Sequence, residues 1–240
     1  MQRADPVSTG EPTAPYRLLV FDWDGTLADS EQRIVAAALS AMDTLGLPAR
    51  SHEQVRAIIG LAMSEACQAL FPDMPKSQES RFVACYREYY LRNTGTPVPL
   101  FPGAEAALRG LAGQRYQLAV ATGKGRRGLD RDIASHGLEA LFSATRCADD
   151  APSKPHPQML EDIMQELNAA SDQTLMIGDT AYDMEMARNA GVAYVAVSSG
   201  VHDRQRLLEF DPLALLGSIA ELPAWLSNEA RVIQRRFPHV

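Results

Sequence analysis

The stretch LLVFDWDGTLADS, Leu18 to Ser30, decides how this chain folds. Four apolar residues run straight into Asp22 and Asp24, and Gly25-Thr26 turns the backbone at once. Such a run reads as a buried strand of a parallel sheet. Ligands bind such sheets beyond the carboxyl ends of the strands. A spacing of two puts both aspartate side chains on one side of an extended backbone. Two carboxylates that close repel, and each is costly to desolvate. A divalent cation, a nearby lysine or exposure in a turn must compensate them.

Working outward, strand-length apolar runs recur at 17–21, 117–122, 174–178 and 193–197, with weaker candidates at 142–147 and 213–217. Helical patterns fall between the later ones, at 104–111, 128–136, 157–167 and 182–190. Strands alternating with helices predict an α/β fold with a doubly wound parallel sheet. Residues 30–97 break the rhythm. Their four amphipathic helical patterns, bounded by Gly46, Pro48, Gly60, Pro72 and Pro75, predict an all-helical insert. The expected division is a tail at 1–15, a core of 16–29 and 98–227, the insert at 30–97, and a terminal tail or helix at 228–240.

Composition narrows the function. The chain has 240 residues and a net charge of −7, with no basic stripe, so a nucleic-acid binder is disfavoured. Three scattered cysteines match neither a zinc pattern nor a disulfide framework and suit a reducing compartment. No apolar run approaches the roughly 20 residues of a membrane span. Residues 1–15 lack the apolar segment of a secretory signal. A cytoplasmic location with no membrane partner is expected.

The second acidic pair follows the strand at 174–178, in Gly178-Asp179-Thr180-Ala181-Tyr182-Asp183. Helix capping by Asp179 or Thr180, with Asp183 favourable at the helix dipole, explains part of this pattern. Two strands each delivering a carboxylate pair also make a hard, oxygen-rich site suited to Mg²⁺. A third strand ends in Thr122-Gly123-Lys124, whose hydroxyl and backbone N–H groups suit a phosphoryl oxygen. Lys154 lies in a proline-stiffened loop directly before a helix, where it would help neutralise the acids. The stretch GKGRRG, 123–128, with Asp149 about twenty residues on, fits a dinucleotide fingerprint. That reading leaves both acidic pairs and Lys154 without a role.

In order and approximate spacing, DWDGTLADS, ATGK, SKPHPQML and GDTAYDMEMARNAG resemble the four motifs of haloacid dehalogenase-like hydrolases. The resemblance runs from about Tyr16 to Leu226. The helical insert looks like the small cap of the branch containing phosphoglycolate phosphatases, and TRCADDAPSKPHPQ fits that branch. The resemblance implies a Rossmann-like core and a Mg²⁺-dependent phosphatase acting through an aspartyl-phosphate. Asp22 would be the nucleophile and Asp24 the general acid and base. Asp22, the Asp24 backbone carbonyl and Asp179 would hold Mg²⁺, with Asp183 in support. Gly25, Thr26, Thr122, Gly123 and Lys154 would bind the phosphoryl group. The partner would be a small phosphorylated metabolite, and the chain a monomer or homodimer.

Departures sharpen this. The second motif more often reads Thr/Ser-Asn, and here it is Thr122-Gly123. Asp24 disfavours true dehalogenases, which carry another residue there. A sugar-phosphate mutase would keep the same core but more often shows DGV than DGT. A pyrophosphatase, a nucleotidase and a non-catalytic phosphate-binding regulator are further alternatives. Within the insert, Arg56 reads as a possible anion contact but more readily as a solvated side chain. Tyr86 to Tyr90 read as packing.

Overall fold

The computed structural model describes residues 15–92 and 97–236. The expected tail at 1–15 lies outside these almost entirely, as do residues 93–96 of the proline-rich connector and the last four residues of the chain. The strands are β1 (Leu18–Phe21), β2 (Gln117–Ala121), β3 (Phe142–Arg146), β4 (Thr174–Gly178), β5 (Ala193–Val197) and β6 (Leu215–Leu216). They form one parallel sheet in the order β3-β2-β1-β4-β5-β6. The chain winds outward from β1 in one direction, then returns and winds outward in the other. The strand order therefore switches beside β1, where doubly wound sheets leave a crevice.

Both faces of the sheet are covered, which is why its central strands are apolar without alternation. Leu19 and Phe21 face one core with Leu118, Val120, Leu175 and Ile177. Helices α5 (Ala104–Gly113), α6 (Arg126–Ser135) and α10 (Leu222–Arg236) close it with Leu108, Leu129 and Leu222. Leu18 and Val20 point the other way. There they meet Met159 and Ile163 of α7 (Gln158–Glu166) and Met186 of α8 (Ala181–Asn189). Each such side chain contributes about 1.5–3 kcal/mol on full burial.

Between β1 and α5 the chain forms α1 (Glu31–Leu45), α2 (His52–Arg56), α3 (Met63–Leu70) and α4 (Lys76–Arg92). Gly46 ends α1 in the left-handed conformation at φ 61°, and a Ser51–Gln54 capping box starts α2. Of the four helical patterns predicted in the insert, the second, at 51–60, forms a helix only as far as Arg56, and Ala57 to Gly60 form a turn with Gly60 at φ 100°. The two crossings between this segment and the sheet run side by side. Asp29 N donates to Pro99 O at 2.8 Å, and Phe101 N donates to Leu27 O at 2.9 Å.

Two further helices differ from expectation. A short α9 (Arg204–Leu208), capped by Asp203, has too few residues to show a period. The terminal helix begins at Leu222, before the expected boundary at 228, because Leu222 and Leu226 are buried.

Candidate active site

The strand register brings the predicted residues together. Phe21 lies level with Val120 of β2 and Ile177 of β4, so Asp22, Thr122 and Asp179 leave adjacent strands at one edge. Asp22 N still donates to Ile177 O at 2.9 Å, which pins the start of the following loop.

Asp22, Asp179 and Asp183 are buried and each offers an oxygen within 4.8 Å of the others. The Lys154 ammonium sits 2.7 Å from Asp22 Oδ1 and 2.6 Å from Asp183 Oδ1, and all three side chains are fully buried. Asp183 Oδ2 accepts hydrogen bonds from Thr180 N at 3.0 Å and from Thr180 Oγ1 at 2.7 Å. Asp179 accepts from the Thr26 hydroxyl at 2.7 Å and from Val201 N at 2.8 Å. Asp22 differs. Neither of its oxygens accepts a well-directed hydrogen bond, so its short contact with Lys154 is one of charge.

Burial pushes the Asp22 carboxyl up to about 7, with Asp183 and Asp24 adding to the rise and Lys154 opposing it. Burial, then the charges of Asp22 and Asp183, raises Asp179 well above the ordinary range. Burial disfavours the Lys154 ammonium, but Asp183 and Asp22 outweigh it and raise its pKa. If fully ionised, the three carboxylates would outnumber the one lysine by two charges. Oxygen donors, that charge and the orphaned Asp22 oxygens fit a hard divalent cation. Backbone packs tightly around this cluster. A Cβ on Gly25, at φ 90°, or on Gly200 would overlap the Asp179 carboxylate. Gly200 follows β5 and carried no sequence signal beyond its place after a strand.

Thr26 is among the residues expected to bind the phosphoryl group. It is fully buried and its hydroxyl is committed to Asp179. Thr122 is buried beside the pocket, and its hydroxyl accepts from Lys124 N at 3.3 Å.

Sequence reasoning missed the side chain of Lys124. Its ammonium lies 2.9 Å and 3.1 Å from the two oxygens of Asp24, and 3.0 Å from the Tyr90 hydroxyl. Asp132 on α6 adds an ion pair at 3.2 Å. Burial opposes this ammonium, but Asp24, Tyr90 and Asp132 together raise its pKa well above the usual lysine value. The Asp24 carboxylate is thus paired with Lys124 and is not a member of the three-acid cluster. Gly128 gives passage to the Lys124 stem, and Asp149 Oδ2 accepts from Arg126 N at 2.6 Å at the start of α6. The dinucleotide-like glycines and acid therefore have structural explanations. Tyr90, expected only to pack, also meets the core.

The helical segment sits directly over this edge. A Cβ on Gly123 would overlap the carbonyl oxygens of Gly60 and Leu61. Ala62 N donates to Ser153 Oγ at 2.8 Å, and the Tyr182 hydroxyl donates to Ala57 O at 3.1 Å. Arg56 keeps about a third of its side chain exposed but is not a free anion contact. It pairs with Glu31 at 3.0 Å and donates to Gly200 O at 3.1 Å. Between the layers lies a cavity of about 1020 Å³, with Asp24, Thr122, Gly123 and Lys124 at one end.

The chain matches the family described as haloacid dehalogenase-like hydrolase over residues 19–197. "Probable phosphatase IndB" of Dickeya dadantii is 34% identical, across 85% of this chain and 91% of that protein. "Pyrophosphatase PpaX" of Halalkalibacterium halodurans is 27% identical, across 89% and 98%. The crystal structure of a predicted phosphoglycolate phosphatase from Haemophilus somnus superposes with a TM-score of 0.76 at 25% identity, covering 88% of this chain and 97% of that one.

Proposed function

The chain belongs to the haloacid dehalogenase-like hydrolases and is a phosphoric monoester hydrolase, and we propose that it works by covalent catalysis on Asp22 with Mg²⁺ as cofactor. Its substrates are small phosphorylated compounds. In this reading residues 30–97 are a cap over a core of 16–29 and 98–227. The observation that carries the reading is the buried cluster of Asp22, Asp179, Asp183 and Lys154 at the carboxyl edge of the sheet.

Asp22 is the acid whose oxygens remain uncommitted to any hydrogen bond. It attacks phosphorus and forms an aspartyl-phosphate as the ester oxygen departs. Asp24 gives that oxygen a proton, then takes one from the water that cleaves the acyl phosphate and releases inorganic phosphate. Lys124, bonded to both Asp24 oxygens, fixes where that carboxylate points. Lys154 balances charge on Asp22 and on the transferring phosphoryl group. Thr122 and the backbone at Gly123 and Gly25 face the phosphoryl oxygens. Asp22, Asp179 and the Asp24 backbone carbonyl would hold Mg²⁺. Asp183, whose oxygens are taken by Lys154 and Thr180, would support them indirectly. When bound, Mg²⁺ neutralises the charge between nucleophile and phosphate. Closure of the helical segment keeps bulk water out.

Purified protein should release phosphate from p-nitrophenyl phosphate, and Asp22→Asn should not. Full turnover by that variant ends the nucleophile assignment. EDTA should silence the enzyme and Mg²⁺ restore it.

A further inference from the structure

The cavity that opens on Asp24 and Lys124 is unlike a site for a small, highly charged leaving group. At about 1020 Å³ it reaches the upper end of ordinary ligand pockets. It extends from the sheet edge up between α1, α3 and α4. Its walls include Ile34, Ile59, Leu70, Phe82, Tyr86 and Tyr90. The Tyr86 and Tyr90 rings stand 5.8 Å apart and are tilted by 33°.

Cations near the catalytic end are already engaged. Lys124 is held by Asp24, Asp132 and Tyr90. Arg131 bonds Asp132 at 2.8 Å and lies 5.5 Å from the centre of the Tyr90 ring. Arg87 and Arg127 also line the cavity, but their side chains are solvent-exposed. The loop from Ile58 to Met63, which closes on Gly123, presents no charged side chain. A glycolate carboxylate or a second phosphate seated beside Asp24 would lose hydration and meet only cations that Asp24, Asp132 and Tyr90 already hold. An apolar body would instead gain buried area.

We propose that this chain selects phosphomonoesters of bulky alcohols carrying an aromatic ring, and that the chamber between α1, α3 and α4 is the seat of that ring. The proposal rests on the phosphatase reading and names its substrate class. The ester phosphate sits at the Asp22 edge while the ring lies among Phe82, Tyr86 and Tyr90. Aryl phosphates and nucleoside monophosphates share this chemistry and differ in the polarity between ring and phosphate.

The test compares kcat/KM of the wild-type protein, with Mg²⁺, on 1-naphthyl phosphate, a nucleoside 5′-monophosphate, phosphoglycolate and pyrophosphate. At least one aromatic ester should exceed both small substrates by about tenfold or more, the scale that apolar contacts supply in a pocket. Which aromatic ester leads tells an aryl from a nucleoside leaving group. Equal or reversed ranking overturns the proposal. Filling the chamber with Ala38→Phe or, more mildly, Ala66→Leu should shrink the aromatic-to-small ratio by about tenfold. A ratio left unchanged in a folded variant also overturns it. If neither variant folds, the wild-type ranking decides. Binding of 1-naphthol, read by its fluorescence, separates the two readings should no ester turn over. Saturable binding would then sustain the chamber while the phosphatase reading fails, and no binding would end both.

Discussion

The ammonium of Lys124 bridges both oxygens of Asp24, at 2.9 Å and 3.1 Å, across a hundred residues of chain. Tyr90 of the helical segment and Asp132 of α6 hold the same ammonium from other sides. In the proposed mechanism this geometry makes Lys124 a positioning residue for proton transfer by Asp24. Lys124→Met should lower kcat by about 10²-fold, the lower range for a displaced acid or base. The loss should be smaller on p-nitrophenyl phosphate, whose leaving group needs little protonation, than on an alkyl phosphate. An equal loss on both esters would point to a structural role instead.

Lys154 is the only cation in contact with the fully buried Asp22 and Asp183 among the described residues. Lys154→Met leaves two buried carboxylates without their partner, a change that destabilises proteins by about 3–5 kcal/mol. The variant should denature at clearly lower urea concentration and release no phosphate. Saturating Mg²⁺ should recover part of the stability and none of the activity.

The acid cluster also sets a pH dependence. Asp22 ionises at about 7 in the folded protein, well above an ordinary aspartate. The folded state therefore holds a proton that the unfolded chain has already lost, and stability falls as pH rises through the window between those values. Metal-free protein should melt several degrees lower at pH 8 than at pH 5 from this source, with the contribution over that interval bounded at about 3 kcal/mol. Asp22→Asn should flatten that slope in thermal scans, and Mg²⁺ should oppose it in the wild type. A slope unaltered by the substitution would remove Asp22 as its cause.

Gly123 is packed against the Gly60 and Leu61 carbonyls, so any side chain there pushes the helical segment off the sheet. Gly123→Asn, although it restores the commoner second-motif residue, should reduce kcat/KM. A displacement of about 1 Å near the chemistry is enough for losses on the order of 10²-fold. Gly123→Ala should show a smaller loss. Steady-state kinetics on one ester measures both, and wild-type rates in Gly123→Asn would mean the close approach does not matter to turnover.

Much of this protein was legible in order along the chain. Apolar runs ending in acid or Thr-Gly marked the strands and the edge where they finish, because strand burial and turn chemistry are local properties of sequence. The motif order then pointed to Asp22, Asp24, Thr122, Lys154 and Asp179 as one group, and the register of β1 with β2 and β4 puts Asp22, Thr122 and Asp179 at neighbouring strand ends. The last two helices were not fully legible. α9 has no room for a period, and α10 begins where burial of Leu222 and Leu226 demands it.

Partnerships between side chains were decided only in three dimensions. Nothing local separates a lysine that bonds Asp24 from one facing solvent, or an Asp149 that caps α6 from one that would hold a ribose. Thr26 turns from the open pocket to Asp179, and Arg56 ties the helical segment to Glu31 and Gly200. Each of these pairings depends on strand order and on where four helices settle over one sheet edge. Sequence thus determined which chemical groups stand at the strand ends. Tertiary packing decided which of them touch and what shape of space remains between, because contacts across a hundred residues are set by the burial of whole elements and not by any local pattern.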